Sequence, residues 1–333
     1  MLNVTYSHEV TIKLYEELEL YPNTAPYEEG YLQVSDQHRL YYAQFGNPDG
    51  VPVLVVHGGP GFGCSPAWSS FFDLAFYRVI MFDQRGSARS TPAGEMNDNT
   101  PQHSVADMEA LRVHLGVDKW LLFGGSWGSA LSILYGETHP ERVTGFVLRG
   151  VFLARQKDYE HLYYGMKRTF PDAWDEMVQV IPEEERTDLI KALYNRVMDP
   201  DPQVHLPVAH AFMRYDAICG TLLPNPALLD HQSKNDHSVI NVTRAFMHYS
   251  INHFFMEEDQ LLNDLDKIAH LPAIIVQGRY DMICLPEGAY ELYKKWNNAN
   301  LWFVADGAHF SSEPSIAKGL KEAMDQMKPL INP

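Results

Sequence analysis

The chain is poor in cysteine, short of basic residues and without any long apolar run, and each scarcity excludes a class of protein. Three cysteines in 333 residues, Cys64, Cys219 and Cys284, are odd in number and far apart. That argues against a disulfide framework or a cysteine zinc site and makes a reducing, cytoplasmic setting the expectation. No run approaches the ~18 apolar residues of a membrane span, and no basic start leads into an apolar segment. A soluble chain that is not exported is expected. Lysine and arginine total 26 against 43 acidic residues, a formal net charge of −17. Nucleic acid and anionic membrane surfaces would both be repelled by such a field, so neither is an expected partner. Internal repeats and low-complexity tracts are also missing. Neither a Gly-x-Gly-x-x-Gly nor a lysine-bearing phosphate loop can be laid over the glycine-rich stretches at 57–66 and 121–129, and no His-Glu-x-x-His spacing occurs. No cofactor and no metal are expected.

What is present is an apolar fraction of 45%, enough for one large domain or a core domain with an insertion. The organising stretch is Leu121-Leu122-Phe123-Gly124-Gly125-Ser126-Trp127-Gly128-Ser129, which reads as an apolar strand, a Gly-x-Ser-x-Gly turn and a helix running to about Thr138 before His139-Pro140. In such a turn the serine stands at a strained strand-to-helix corner, its hydroxyl free and the helix N-terminus favouring negative charge beside it.

Around it the pattern alternates. Residues 31–34 and 40–45 read as a hairpin, and Pro52–Val56 as a buried strand running into His57-Gly58-Gly59-Pro60-Gly61. A helix near Ala67–Ala75 is expected next, then strand Tyr77–Phe82 ending at Asp83-Gln84-Arg85-Gly86, a helix over about 104–115, and a strand over Val143–Leu148. Residues 1–29 read as a surface arm or as a first strand around Val10–Leu14. From about 152 to 269 no strand stands out, while helical spacing recurs at Ile190, Leu193 and Val197 and at Val242, Ala245, Phe246 and Tyr249. Strands resume at 273–278 and 301–304, and a closing helix is expected over about Ser315–Met327. The expected fold is α/β: a mostly parallel sheet with helices on both faces, formed by 1–150 and 270–333, with 151–269 as an inserted helical cap over the strand ends.

A serine hydroxyl needs a base, and the base needs a partner that sets its tautomer. Asp281 and His309 each follow a strand by a short loop, so Ser126, Asp281 and His309 occur in the order Ser, Asp, His at successive strand ends. They are the candidate triad. The oxyanion donors expected are the backbone N–H groups of Trp127 and Gly59, with Gly58 in the same turn as the substitute and a substrate-binding position.

His57-Gly58-Gly59-Pro60-Gly61, Asp83-Gln84-Arg85-Gly86-Ser87, Gly124-Gly125-Ser126-Trp127-Gly128-Ser129 and Gly278-Arg279-Tyr280-Asp281 closely resemble the motifs of prolyl aminopeptidases (proline iminopeptidases), a branch of the α/β-hydrolase fold. The resemblance spans about 28–150 and 265–315. It implies a cytoplasmic serine peptidase with a helical cap and no cofactor, acting on small peptide or aminoacyl substrates with a free N-terminus and releasing N-terminal proline. It also implies acidic residues in the cap that hold the substrate amine. Where the family has Trp-Glu-Gly this chain has Tyr215-Asp216-Ala217, making Asp216 the implied anchor, and where the family has Glu-Asn-His-Tyr-Phe it has Ile251-Asn252-His253-Phe254-Phe255. The second acid is thus replaced by Ile251. An esterase or non-peptide amidase of the same superfamily is the alternative, and a non-catalytic ligand-binding protein on this scaffold a further one.

Overall fold

The apolar runs assemble into a nine-stranded sheet in the computed structural model, which describes residues 8–15, 19–233 and 235–331. Chain order is β1 (Val10–Lys13), β2 (Glu28–Gln33), β3 (Arg39–Gly46), β4 (Val51–Val56), β5 (Tyr77–Phe82), β6 (Trp120–Ser126), β7 (Val143–Val151), β8 (Ala273–Gly278) and β9 (Ala299–Val304). Spatial order is β1-β9-β8-β7-β6-β4-β5-β3-β2. Only β3 runs antiparallel to its neighbours β2 and β5. Every other pairing is parallel, so the ends of β4 through β9, with the motif-bearing turns that follow them, all open on one side. The hairpin β2–β3 pairs Tyr31 with Tyr41, closed by a turn in which Ser35 Oγ accepts from the His38 N–H. The part of the expected N-terminal arm at 1–7 and 16–18 lies outside the described residues.

Between β5 and β6 lies α1 (Pro101–His114), capped by Thr100, whose side chain accepts from the His103 N–H. Its start at Pro101 precedes the apolar spacing that predicts it, because the cap and Pro101 set the first turn. At 67–75 the expected helix is instead a 3-10 turn over Pro66–Phe71, begun by Ser65 and Pro66 and ended at Phe72 in extended conformation. Its hydrophobics, Phe71 and Phe72, pack straight onto Phe123 of the sheet, and a longer helix would carry them off it. After β6 comes α2 (Trp127–Thr138), almost wholly buried, as a helix apolar all round must be.

The segment between β7 and β8 is helical, with no strand among the described residues: α3 (Gln156–Glu160), α4 (Pro171–Val178), α5 (Leu189–Val197), α6 (Pro202–Gly220), α7 (Pro226–Ser233), α8 (Asp236–Ile251) and α9 (Gln260–Asn263). Helix α6 packs against α4, α5 and α8. Two further helices, α10 (Pro286–Lys295) and α11 (Pro314–Ile331), return to the sheet. Alternation along the strands feeds two cores: Leu54, Val56 and Leu122 face the side of α1 and α2, while Val53, Val55 and Leu121 face α11.

The helical segment is tied to the strand-end side by specific bonds. The His309 N–H donates to Gly220 O at the end of α6 (3.0 Å), and Tyr249 Oη of α8 donates to Asn99 Oδ1 (3.0 Å). Arg155, at its entry, is buried and paired with Asp158 (2.9 Å), Glu291 of α10 and Asp259 (3.6 Å), so both ends of the segment meet at one guanidinium. Among the described residues no helix is long and apolar enough to cross a membrane.

Candidate active site

Ser126 closes β6 and precedes α2 with φ 57° and ψ −128°, a conformation rarely adopted by a residue with a Cβ. Such a backbone costs about 1–3 kcal/mol and persists only when its surroundings impose it. The imposition is visible. A Cβ on Gly128 would lie 2.0 Å from Val56 O, and one on Gly124 would lie 2.3 Å from Gly128 O, so the corner closes only with glycine at both positions. The turn is then held by Ser129 Oγ, which donates to Ser126 O (2.6 Å) and accepts from the Phe152 N–H (3.0 Å).

Asp281 lies three residues beyond β8 and is fully buried. Its carboxylate accepts from the N–H groups of Ile283 (3.0 Å) and Cys284 (2.8 Å) and from Gln277 Nε2 (3.2 Å), so it caps its own loop rather than α10, which begins after Leu285. What remains faces His309, whose Nδ1 lies 2.9 Å and 3.0 Å from the two carboxylate oxygens. The imidazole is only 5% exposed, not a solvated surface histidine. An acceptor pair at Nδ1 puts the proton there and leaves the Nε2 lone pair free, which is the tautomer a general base needs.

That Nε2 faces Arg149 Nη1 at 3.3 Å, and the same Nη1 donates to His309 O at 2.8 Å. Ser126 Oγ has Cys284 Sγ as its neighbour at 3.9 Å, and among the described residues no hydrogen bond joins Ser126 Oγ to His309. Active-site bonds of this kind commonly tighten only when substrate is present. Burial pushes the Cys284 thiol well above its usual range, so that sulfur is a neutral neighbour of Ser126 and not a base. Burial also weakens the charged form of Arg149, with Asp281 the first of the groups that favour it.

The turn after β4 lies directly against the serine: a Cβ on Gly58 would come 3.1 Å from Ser126 Cβ. Gly59 follows with φ +114°. Trp127 occupies the first helical position of α2, where its N–H has no partner within the helix. Its indole is walled in by Tyr249 (5.0 Å between ring centroids) and Phe254 (5.6 Å), and Phe254 packs on Phe152 as well (4.8 Å). Phe254 is held there by a left-handed turn, His253, Phe254 and Phe255 all having φ between 51° and 54°.

Asp216 enters from the helical segment. It sits on α6, one turn before the Gly220 carbonyl that receives the His309 N–H, is 6% exposed, and its Oδ2 has no hydrogen-bond partner among the described residues. Burial raises its pKa to about 6, and the charge of nearby His309 draws it back down. Ile251, the last residue of α8, is half-buried against the main core. The structure therefore gathers Ser126, Asp281, His309, Gly58, Gly59 and Trp127 at the strand ends and brings Asp216 over them. Arg149, Cys284 and Gln84 were not singled out by sequence. Arg149 interrupts β7 directly after its apolar run Phe146–Leu148 and Gln84 is the second residue past β5, and a polar residue where a buried apolar run stops is the available signal.

A sequence profile described as the alpha/beta hydrolase fold matches residues 51–315. The chain is 43% identical over 309 residues to a proline iminopeptidase of Xylella fastidiosa, covering 92% of this chain and 98% of that one. It is 42% identical over 315 residues to one of Arabidopsis thaliana (94% and 83%), and 39% identical over 315 residues to one of Neisseria gonorrhoeae (94% and 100%). Among solved structures it resembles an esterase from Exiguobacterium antarcticum with TM-score 0.62 at 17% identity, covering 90% and 98% of the two chains. A bromoperoxidase from Bacillus anthracis superposes with TM-score 0.63 at 19% identity (92% and 100%). At those identities the likeness is one of fold.

Proposed function

The chain belongs to the proline iminopeptidases of the α/β-hydrolase fold, and from that membership we propose a serine peptidase that releases N-terminal proline from short peptides, with Ser126 as nucleophile, His309 as base and Asp281 as its orienting acid. Ser126 Oγ attacks the carbonyl of the first residue while its proton passes to His309 Nε2, displacing the Arg149 contact there. Negative charge then develops on the carbonyl oxygen, where the N–H groups of Trp127 and Gly59 receive it. Collapse breaks the C–N bond, and His309 returns the proton to the leaving amine. Water, deprotonated by the same histidine, hydrolyses the prolyl ester on Ser126.

The observation that carries the substrate class is Asp216. A buried carboxylate with an oxygen left unpartnered, beside the candidate base, is supplied with a partner when a cationic amine enters. The secondary ammonium of an N-terminal proline is such a group, and Ile251 offers apolar surface in place of a second acid. Residues 151–269 serve as the cap that encloses this amine and limits substrates to short peptides. The three cysteines, all buried and unpaired, are consistent with a cytoplasmic enzyme.

The test is turnover on matched peptides beginning with proline, alanine and N-acetylproline. Cleavage of the free prolyl peptide ~100-fold faster than the acetylated one is expected. Equal rates on both, or faster turnover of simple esters than of any amide, would refute the amine anchor and favour the esterase alternative.

A further inference from the structure

We infer that Gln84 is a positioning residue that holds both oxyanion donors in register, a role resting on the serine-peptidase mechanism above but on different residues. Gln84 follows β5 and is 4% exposed, and every polar group it owns on this side is committed. Its Nε2 donates to His57 O at 2.7 Å, its Oε1 accepts from the Trp127 indole Nε1 at 3.0 Å, and its main-chain N–H donates to His57 Nε2 at 2.9 Å. One side chain thus reaches from the end of β5 past β4 to the first residue of α2, joining the two segments that carry Gly59 and Trp127.

The bond to His57 transmits orientation. Two main-chain N–H groups approach the ring, Gln84 at Nε2 (2.9 Å) and Gly63 at Nδ1 (3.2 Å), and a neutral imidazole accepts from only one; the shorter contact and the Gly58 carbonyl 2.8 Å from Nδ1 together make Nε2 the acceptor and place the proton on Nδ1, which donates to Gly58 O. Burial keeps this ring neutral. The Gly58–Gly59 peptide is trans and planar, so fixing its C=O toward His57 aims its N–H the opposite way. That N–H is the Gly59 donor. At the other end the indole bond fixes the rotamer of Trp127, whose main-chain N–H is the second donor. The amide supplies both a donor for the carbonyl and an acceptor for the indole, which neither a carboxylate nor an ammonium does.

Probes that separate oxyanion stabilisation from ordinary binding test the role. The aldehyde analogue of proline adds Ser126 Oγ at its carbonyl carbon, the serine proton passing to His309 and the oxygen becoming an oxyanion, whereas the alcohol analogue cannot add. In Gln84→Ala, kcat should fall ~100-fold with KM nearly unchanged, since losing one oxyanion donor lowers kcat about 10²–10³-fold. Aldehyde affinity should fall by a similar factor, with alcohol affinity retained. Trp127→Phe, which keeps the main-chain N–H and loses the indole donor, should lose ~10-fold of the aldehyde-over-alcohol preference, and the double variant should be no worse than Gln84→Ala alone. Should Gln84→Ala fail to fold, Trp127→Phe decides. An unchanged aldehyde-over-alcohol preference in either folded variant, beside an inactive Ser126→Ala, overturns the brace alone. Activity surviving in Ser126→Ala overturns the mechanism beneath it, and this inference with it.

Discussion

Asp281 and Asp216 are both buried carboxylates near His309, one delivered by the sheet and the other by the helical segment, and they differ in how their oxygens are used. Asp281 accepts from two main-chain N–H groups, from Gln277 and from His309. Asp216 keeps one oxygen without a partner. Two more buried carboxylates side with Asp281: Asp83, just past β5, accepts from the Cys64 N–H and from Arg89, and Asp107 pairs with Arg85. Groups that must hold a geometry before substrate arrives have their partners inside the protein. The group proposed as the amine anchor leaves its partner to the ligand. A buried charge left unpaired is unfavourable in the free enzyme, and this unfavourable energy is what a matching cation relieves.

The sharpest way to break the comparison is at the sheet. Ser126→Ala should reduce turnover by at least ~10⁴-fold with substrate affinity nearly retained, checked by single-turnover kinetics and by loss of fluorophosphonate labelling. Activity within tenfold of wild type would remove Ser126 from the chemistry. Asp281→Asn should reduce kcat by ~10³–10⁴-fold, because an amide facing Nδ1 stabilises the wrong tautomer of His309. If kcat stayed within tenfold, the sheet carboxylate would be structural only.

The helical segment should respond differently. Asp216→Asn should raise KM for free-amino substrates ~30-fold or more and leave N-acylated substrates and simple esters unchanged, a split read directly from steady-state kinetics. A fall in kcat on both classes would place Asp216 with the catalytic groups and erase the contrast. Its pKa of about 6 adds a pH signature. KM for free-amino substrates should rise as pH falls through 6, as the carboxylate that receives the ammonium is protonated, and Asp216→Asn should abolish that rise. Stability runs the other way. A carboxyl group whose folded pKa is raised above 3.8 contributes stability that is present in full below about pH 4 and lost as pH rises through 6. Asp216→Asn should therefore be more stable than wild type at pH 7, by an amount on the order of 3 kcal/mol, and match it at pH 4, as read by denaturant unfolding at each pH.

One residue of the core departs from the pattern and gives the smallest test. Glu137, at the end of α2 remote from Ser126, is buried with both oxygens unpartnered among the described residues, and burial, seconded by Asp264, raises its pKa to about 9. It is held as the neutral acid at physiological pH. Its contribution is present below about 4.5 and is lost as pH rises through 9, so wild type should lose a few °C of melting temperature between pH 7 and pH 10 that Glu137→Gln does not. Equal losses in both would mean that Glu137 is already ionised or hydrated.

Local spacing made much of this legible. The hairpin at 31–45, the buried strands around 52–56, 77–82, 143–148 and 273–278, the elbow at Ser126 and the helix after it were readable because each depends on residues a few positions apart. The 3-10 turn over Pro66–Phe71 was misread as a helix, since apolar spacing alone does not say that Phe71 and Phe72 must reach Phe123. The order of Ser126, Asp281 and His309 indicated which strand ends would converge, but not that Nε2 would face Arg149 or that Ser126 Oγ would lie beside Cys284.

By itself, then, the sequence determined the strand and helix pattern, the strained corner at Ser126 and the family, because propensity, glycine placement and motif spacing are properties of the chain over short distances. Only the tertiary structure decided how each buried polar group is used. Gln84 meets His57 across 27 positions and Arg149 meets His309 across 160, while Asp216 is left with an oxygen that finds no hydrogen-bond partner among the described residues. Whether a carboxylate is an orienting partner or an empty anchor is set by desolvation and by neighbours distant in sequence, and no local pattern encodes either.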